Sequence, residues 1–474
     1  MTRKIVIDPL NQQNGIARVE VELEGNRVVE ARLGNPNFRG FELILVGRDP
    51  ADAPFVAQRI CGICSSAHGV ASAMALEDAY GAEVPPNGIL LRNLIFGADL
   101  VQNHIRHFYL LSLPHFGVSL PDRPPWTPRL NLKTPFSPAE NARLLKNYEA
   151  AFRSGQKAHA LLVVFGTRAP HQQAMLAGGV AAPPGADRLM QARALLSGLR
   201  RFVEEALVPD TELVAERLPE YFTVGRSPVN LLSYGMFPRA DKPDKPGERY
   251  YPAGAVVEGR LEKVEAAAIT EDVTHAWFRK GARPVRPPET GRTDPADDLS
   301  TGYTFTKAPR YRGHPMQGGP LARAWIRGDY RRGTAVLDRL LTRSYEARQV
   351  AAWMEEWLAE VRPGEPGYLP PRPKRSATGA GLHDSMRGPL GHWVRIRGGR
   401  IAHYQVITPS AWNLSPHDGH NRRGPAEEAL VGTEVADPAN PVELLRIVHS
   451  FDPCSMCAVQ LLELDPEKTG GSRT

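Results

Sequence analysis

Residues 59–68 read RICGICSSAH, and residues 450–460 read SFDPCSMCAVQ. Together these two stretches hold every cysteine of the 474-residue chain, arranged as two C-x-x-C pairs. The four cysteines are Cys61, Cys64, Cys454 and Cys457. Two such pairs are compatible with a four-thiolate metal site, two disulfides or two redox motifs. A disulfide framework is disfavoured, because disulfide-stabilised folds are short and dense in cysteine.

The spacing of the pairs bears on which metal site they form. Four thiolates suit zinc, nickel, copper(I) or iron–sulfur chemistry, and a structural zinc is the simplest interpretation of the pattern alone. Zinc ribbons, however, place the second pair about 15–20 residues after the first. Here almost the whole chain separates Cys64 from Cys454. This separation favours a buried active centre that joins the two ends of a large fold.

Composition excludes several classes of protein. Hydrophobic residues make up 42% and charged residues 23%, which excludes wholesale disorder. The 58 Lys and Arg residues are interspersed with 52 Asp and Glu, so no nucleic-acid partner is expected. The sequence contains no apolar run of about 18 residues, so no membrane span is predicted. The start MTRKIVIDPL lacks a Sec-type signal, but a partner could carry one. The compartment therefore stays open between the cytoplasm and export with a membrane-associated partner.

Apolar periodicity predicts a mainly α fold with β elements (α+β), in which long helices form the core and a hairpin lies near each end. The hairpins are expected within residues 3–33 and 392–407, turning at Gly25-Asn26 and Gly398-Gly399. Helices are predicted at 66–80, 88–113, 138–165, 186–217 and 334–361, and after Pro441. Surface connections are predicted at 236–252, 283–315 and 363–376, which are rich in Pro, Gly and charge. We expect residues 1–474 to form a single large domain.

The two cysteine stretches resemble signature motifs of the [NiFe]-hydrogenase large subunit, R-x-C-G-x-C-x-x-x-H and a C-terminal D-P-C-x-x-C. Residues 38–42 (FRGFE) with 47–50 (GRDP), and 387–393 with 408–413, also agree with that family. The resemblance is strong over about residues 1–115 and 384–460. In the helical middle it implies only the family's fold.

The resemblance implies a nickel–iron centre held by all four thiolates. Cys64 and Cys457 would bridge Ni and Fe, whereas Cys61 and Cys454 would bind Ni alone. The Fe would also carry CO and two cyanides. The implied activity is heterolytic cleavage of H2 to protons and electrons, reversible in principle. A metal-bound thiolate such as that of Cys454 is a nearby proton acceptor.

Other residues around this centre are assigned by position in the family motifs. His68 would hydrogen-bond a bridging sulfur. Arg387 would lie over the open position, polarise H2 and contact a cyanide, and Asp452 would pair with it. Pro409 and Ser410 would line the diatomic ligands, with the Ser410 hydroxyl donating to cyanide.

A magnesium site is also implied. Its ligands would be the Glu42 carboxylate, the Val406 carbonyl and Gln460, which stands where many members carry His or Arg. An amide oxygen can still bind a hard cation. The family's processing protease cuts after this position, so residues 461–474 would be a removable tail.

Two asparagines depart from the family pattern. Asn14 stands where the family has a proton-carrying glutamate, and Asn103 replaces an aspartate common near the centre. An amide donates a hydrogen bond but cannot titrate. The departures suggest slow turnover, a proton path rerouted through His68, Asp452 or water, or a sensing role.

With all four cysteines committed to one centre, none remains to hold an electron-transfer cluster. The resemblance therefore implies an Fe–S small-subunit partner, joined through an obligate interface of roughly 2,000 Å² or more. We expect residues 1–70 to contribute to it. The alternatives are an H2-sensing regulatory subunit of low turnover, a structural zinc protein and a metal-free relative from a respiratory complex. The chain retains both C-x-x-C pairs, which disfavours the metal-free relative.

Overall fold

A computed structural model of the chain describes residues 2–10, 13, 15–118, 132–241, 248–281 and 283–455. Over these residues the predicted class is confirmed, because long helices dominate and the sheets are small and antiparallel. The predictions for Asn14, Cys457, Gln460 and the tail 461–474 lie outside the described residues.

The strands form antiparallel sheets of two or three strands. They are β1 (Thr2–Ile7), β2 (Arg18–Glu24), β3 (Arg27–Gly34), β4 (Met175–Leu176), β5 (Gly179–Val180), β6 (Leu231–Ser233), β7 (Gly254–Val257), β8 (Arg260–Glu262), β9 (Ile269–Asp272), β10 (Val285–Arg286), β11 (Ala308–Tyr311), β12 (Ala377–Ser385), β13 (Gly388–Arg397) and β14 (Arg400–Ile407). Both predicted hairpins are present, as β2–β3 and β13–β14. Each gains a third strand, β1 and β12 respectively.

The helices form the core between these sheets. They are α1 (Phe41–Leu45), α2 (Ala53–Gln58), α3 (Ser65–Tyr80), α4 (Pro86–Arg106), α5 (Pro138–Gly166), α6 (Ala186–Phe202), α7 (Val208–Arg217), α8 (Pro320–Arg327), α9 (Val336–Glu360), α10 (Pro409–Asn413), α11 (Pro425–Leu430) and α12 (Val442–Ser450). Nearly all of α4 is buried, so it forms the central helix. Helix α5 begins with a capping box between Ser137 and Glu140. None of the described helices is both long and apolar enough to traverse a bilayer.

Two predicted helices are not continuous. The helix predicted over 88–113 ends as α4, and a π-helical turn follows at His107–Ser112. The helix predicted over 186–217 is divided by a π-helical turn at Val203–Leu207. Each wide turn comes shortly before a proline, Pro114 or Pro209, whose missing N–H breaks the regular helical bonding. Apolar periodicity alone does not distinguish such turns from a regular helix.

The middle of the chain contains short sheets that the sequence did not predict. Strands β6, β7 and β8 form one sheet, and β10, β9 and β11 form another. The prediction of connection alone across 283–315 is therefore wrong at β10 and β11, which have two and four residues. Alternation cannot be read from strands this short. The connection predicted at 363–376 is confirmed, since it contains neither helix nor strand.

Helix α3 packs unusually closely on β12. A Cβ atom at Gly381 would overlap the Ala71 carbonyl oxygen, and one at Gly379 would overlap the Ala75 carbonyl oxygen. These glycines allow the helix backbone to lie against the strand. The contact fixes the position of α3, whose N-cap residue is Cys64.

Candidate metal centre

The cysteines of the two chain ends converge. The Sγ atoms of Cys61, Cys64 and Cys454 all lie within 4.8 Å of one another, and those of Cys61 and Cys454 are 3.4 Å apart. All three residues are buried. Three soft sulfur donors at this spacing fit a single thiophilic metal centre. The fourth cysteine, Cys457, lies outside the described residues.

The backbone around Cys454 is held by side chains from elsewhere in the chain. The Cys454 N–H donates to Ser410 Oγ over 3.2 Å. Asn35 Nδ2 donates to the Ser455 carbonyl at 3.0 Å, and the Ser455 hydroxyl donates to Gln13 Oε1 at 2.7 Å. Segments near the N-terminus thus fix the C-terminal cysteine loop in place.

Arg387 and Asp452 form a buried ion pair beside the thiols. Arg387 Nη2 lies 3.0 Å from Asp452 Oδ1, and Arg387 Nε donates to the Asp452 carbonyl at 2.9 Å. Burial opposes charge on the guanidinium, but Asp452 and the three thiols together hold the pKa of Arg387 above its usual range. Burial likewise opposes charge on the carboxyl, but Arg387, His107 and Arg343 hold the pKa of Asp452 below its usual range. Both groups are therefore charged at neutral pH.

Asn103 connects the two members of this ion pair. Its Nδ2 donates to Asp452 Oδ2 at 2.8 Å. Its Oδ1 accepts from Arg387 Nη2 at 2.7 Å and from Arg106 Nη2 at 3.0 Å. An ionised aspartate could accept these bonds but could not donate to Asp452. The amide is thus suited to this position, which the sequence had indicated only as a lost acid.

His68 lies fully buried at the start of a hydrogen-bonded chain. Its Nδ1 is 3.1 Å from His392 Nε2, His392 Nδ1 is 2.8 Å from the Tyr404 hydroxyl, and that hydroxyl donates to Ser72. Burial lowers the pKa of His68 to about 3; Cys454 opposes this and Arg39 adds to it. The other ring nitrogen, Nε2, is buried and has no hydrogen-bond partner among the described residues. A neutral imidazole with one nitrogen available fits a sulfur-contacting role.

Pro409 and Ser410 begin α10 and are both buried. At the end of that helix, Asn413 Nδ2 donates to the Arg387 carbonyl at 3.1 Å. The structure thus brings Ser410 against the Cys454 backbone, and the end of the same helix against Arg387. Among the described residues Ser410 Oγ accepts from the Cys454 N–H and donates to none, which leaves its hydroxyl hydrogen for a ligand.

A second cluster, of hard oxygen donors, surrounds Glu42. Its Oε1 accepts from the Val406 N–H at 2.9 Å, and its Oε2 lies 3.7 Å from Lys307 Nζ. Lys307 Nζ is also 3.7 Å from Glu271 Oε2, which accepts from Gln405 Nε2 at 2.6 Å. Burial raises the pKa of Glu271 to about 7, with Lys307 opposing and Glu42 adding to the rise. The Gln405 Oε1 atom is buried without a partner among the described residues. This donor set, with its incomplete charge compensation, fits a hydrated divalent cation.

Several residues near these clusters were not found from the sequence. They include Glu271, Lys307, Gln405, Arg343 and Asp99. Asp99 accepts from the Ser66 hydroxyl, and Arg343 Nε lies 3.8 Å from Asp452 Oδ2. The available signal was a charged residue inside an otherwise apolar helical run, as for Asp99 in α4. Glu271 and Lys307 lie in or beside short strands and Gln405 lies in β14, and none of the three carries such a signal.

Fold and site together define a metal-binding protein whose thiol ligands come from both chain ends. The family model for nickel-dependent hydrogenase matches residues 39–116, 129–333 and 330–460. The chain therefore belongs to the nickel-dependent hydrogenase family, and the resemblance seen in its motifs is confirmed.

Relatives match almost the full chain. It is 35% identical to the periplasmic [NiFeSe] hydrogenase large subunit of Desulfomicrobium baculatum, over 98% of this chain and 96% of the relative. It is 29% identical to the Hydrogenase-2 large chain of Escherichia coli K12, over 98% of both. The Ni-Fe-Se hydrogenase structure from D. vulgaris Hildenborough, in the as-isolated oxidised state, superposes with a TM-score of 0.94 at 35% identity. It covers 97% of this chain and 100% of that one. The present chain has cysteine at all four motif positions.

Proposed function

We propose that the chain is the catalytic subunit of a hydrogenase, which cleaves H2 heterolytically into two protons and two electrons. The observation that carries this proposal is the convergence of Cys61, Cys64 and Cys454 beside the buried Arg387–Asp452 pair. A structural zinc site would not require a buried, charged guanidinium beside its thiolates. The full-length relatives named as hydrogenase large subunits support the same conclusion.

Nickel and iron would be held by Cys61, Cys64, Cys454 and Cys457, with Cys64 and Cys457 shared between the metals. When bound, this centre, with CO and two cyanides on iron, supplies the position where H2 binds and the acceptor for its electrons. Soft thiolates suit nickel through its redox changes. The enclosed sulfur cluster keeps bulk water away from the reacting atoms.

Arg387 directs a fixed positive charge at the thiolates. Its Nη1 is buried with no hydrogen-bond partner among the described residues, so this nitrogen is available to H2 or a cyanide. Asp452 and Asn103 hold the other guanidinium nitrogens, so the group is oriented before substrate arrives. Preorganised charge of this kind is an effective source of rate enhancement.

The proton released from H2 would be taken by Cys454 Sγ. Its backbone N–H is fixed by Ser410, which keeps the sulfur in place while its proton affinity changes. His68 Nε2 would lie against a bridging sulfur, and the terminal thiolate of Cys454 would take the proton.

The oxygen cluster would hold magnesium. Glu42, the Val406 carbonyl and Gln460 are the proposed direct ligands, and Glu271 and Gln405 would bind the metal's waters. Gln405 Oε1, which has no partner among the described residues, and the raised pKa of Glu271 both support the binding of a cation to this cluster. Its charge would join β14 to α1 and stabilise the strand that precedes Pro409.

The electrons would leave to a small subunit that carries Fe–S clusters. This follows from the chain's own composition, because all four cysteines are assigned to the metal centre. The relatives are named as large subunits or large chains, which supports a partner of this kind.

The test is H2 oxidation by the purified complex with an artificial electron acceptor, together with H/D exchange. Cys454→Ser should abolish both activities, whereas Arg362→Gln, at an exposed surface position, should leave both intact. If H/D exchange is present but H2 oxidation with the artificial acceptor is orders of magnitude slower than the exchange, the H2-sensing alternative would be favoured. Absence of both activities in a complex that contains zinc and no nickel would contradict the proposal.

A further inference from the structure

A separate cavity of about 500 Å³ lies at the C-terminal end of α3, against the start of α4 and against β12. One side is apolar and includes Val70, Met74, Ile89 and Phe96. The other side is basic or polar and includes Arg92, Asn93, Arg249 and His383. Three acids, Glu77, Asp78 and Glu83, also line it. This combination of apolar walls and a few polar groups is typical of small-molecule sites.

Three buried nitrogen atoms of the lining residues have no hydrogen-bond partner in the described part of the chain. They are Arg92 Nε, Arg249 Nε and His383 Nδ1. The backbone N–H of Phe237 donates to His383 Nε2 at 3.3 Å, so Nδ1 carries the hydrogen of the neutral ring. All three atoms are therefore donors. Buried donors are nearly always paired, so the described residues leave hydrogen-bonding capacity unused on this side of the cavity.

The charges distinguish Arg249 from Arg92. Arg92 is held by both oxygens of Glu77 and is thereby neutralised. Arg249 Nη1 donates only to carbonyl oxygens, those of Tyr234, Gly235 and Leu382, at 3.0, 3.2 and 2.8 Å.

No described carboxylate lies within ion-pair distance of Arg249. The pKa of Arg249 is lowered to about 10 by burial, against the opposing effect of Asp384. Asp384 itself pairs with Arg323 at 2.8 Å. Among the described residues, Arg249 is thus a buried cation without a counter-ion.

This cavity is not part of the hydrogen-cleaving site. Helix α3 runs from Cys64 at its N-cap past Val70 to Asp78, and at 1.5 Å per residue these two lining residues lie about 9 Å and about 21 Å from Cys64 along the helix. Hydrogen gas is small and apolar and gains nothing from a guanidinium. Neither the substrate nor the thiolate centre therefore accounts for the basic side of the cavity.

We propose that this cavity binds a small monocarboxylate with an apolar body. The carboxylate would lie against the guanidinium of Arg249, which matches it in geometry and charge. The apolar body would pack on Ile89 and Phe96. The acids Asp78 and Glu83, both exposed at the mouth, disfavour ligands with two or more negative charges. The cavity thus selects for charge as well as for shape.

The test is calorimetric titration of the purified complex with straight-chain monocarboxylates from acetate to hexanoate. Hexanamide, sulfate and phosphate serve as comparison probes. Affinity should rise about three- to fourfold for each added methylene that is buried. Hexanamide, which lacks the charge, should bind at least tenfold more weakly than hexanoate, and sulfate and phosphate should not compete.

Arg249→Gln should weaken hexanoate binding at least tenfold and leave H2 oxidation without ligand unchanged, while Arg362→Gln should bind like wild type. If the Arg249→Gln protein does not accumulate, the comparison of hexanoate with hexanamide on the wild-type complex still tests whether the cavity recognises the carboxylate charge. No heat with any carboxylate, equal binding of the acid and the amide, or full binding in Arg249→Gln would overturn the proposal. None of these outcomes depends on whether the complex oxidises H2.

Discussion

The Arg387 guanidinium makes several directed contacts that a lysine ammonium could not make together. It reaches the Asp452 carboxylate, the Asp452 carbonyl and Asn103 Oδ1 with fixed geometry. Arg387→Lys keeps the charge but loses the planar fork. We expect H2 oxidation to fall by about 100-fold, comparable to the loss of one preorganised donor. The measurement is kcat with saturating H2, and unchanged turnover would show that orientation of the charge is unimportant. Arg362→Lys is the matched surface control.

Asn103→Asp tests whether the amide is required. A carboxylate here would lie against Asp452 Oδ2, where Nδ2 now donates at 2.8 Å. Two carboxylates at this distance share one proton, so one of them acquires a raised pKa. The pH profile of H2 oxidation should therefore gain an ionisation that wild type lacks. Asn103→Ala, which adds no acid, should reduce the rate by about tenfold without the new ionisation. Superimposable pH profiles for Asn103→Asp and wild type would refute this.

Among individual residues, the sequence predicted those that belong to motifs and missed those whose role depends on tertiary contacts. Cys61, Cys454 and Arg387 were found because their neighbours form recognisable patterns. Glu271 and Lys307 were not found, because each is a single charged residue near a short strand. Their significance comes from meeting Glu42, which tertiary packing alone determines.

Helices α4, α8 and α9 are joined by a buried ionic cluster. Glu346 of α9 accepts from Arg323 Nε and Nη2 at 2.6 and 2.8 Å, and it lies 2.8 Å from His104 Nε2. Burial opposes its charge, but Arg323 and His104 lower the pKa of Glu346 to about 2 from the ordinary value of 4.5. Its contribution to stability is therefore complete above pH 4.5 and is lost as the pH falls towards 2.

Glu346→Gln should lower the stability of the fold by roughly 3 kcal/mol at neutral pH, because it leaves a buried guanidinium with one partner fewer. The urea midpoints of variant and wild type should approach each other as the pH falls below 4.5. Glu365→Gln, at an exposed position, serves as control. A difference that stays constant or grows on acidification would contradict the assignment of Glu346 as an ionised partner.

The close packing of α3 on β12 gives a second prediction for these elements. Gly381→Ala would drive a methyl group into the Ala71 carbonyl of α3. Since Cys64 caps this helix, displacement of α3 should reduce both thermal stability and nickel content. Gly155→Ala in α5, where the new methyl meets only Gln102 at 3.7 Å, should be neutral or stabilising by about 1 kcal/mol. Full nickel content in Gly381→Ala would show that the helix position is not critical.

Element prediction succeeded where one periodicity persisted over many residues. Helices α3, α5 and α9 and strand β14 match their predicted ranges closely, whereas β13 begins at Gly388, before the predicted hairpin. It failed at the two π-helical turns and at β10 and β11. The turns keep the apolar pattern while changing the hydrogen bonding, and the strands are too short to show a pattern.

For the molecule as a whole, the separation of the cysteine pairs along the chain was the decisive signal. It predicted that both ends would meet, and Cys61, Cys64 and Cys454 do meet. The sequence could not predict how the N-terminal segment supports that meeting. Asn35 and Gln13 hold Ser455 through individual hydrogen bonds that follow no motif.

The central claim is that thiolates from opposite ends of the chain hold one nickel–iron centre. The most direct measurement is the nickel, iron and zinc content of the co-purified complex, combined with infrared spectroscopy of the same sample. We predict one nickel per large subunit, and infrared bands from one CO and two cyanides that disappear in Cys454→Ser. One zinc, no nickel and no such bands would contradict the account.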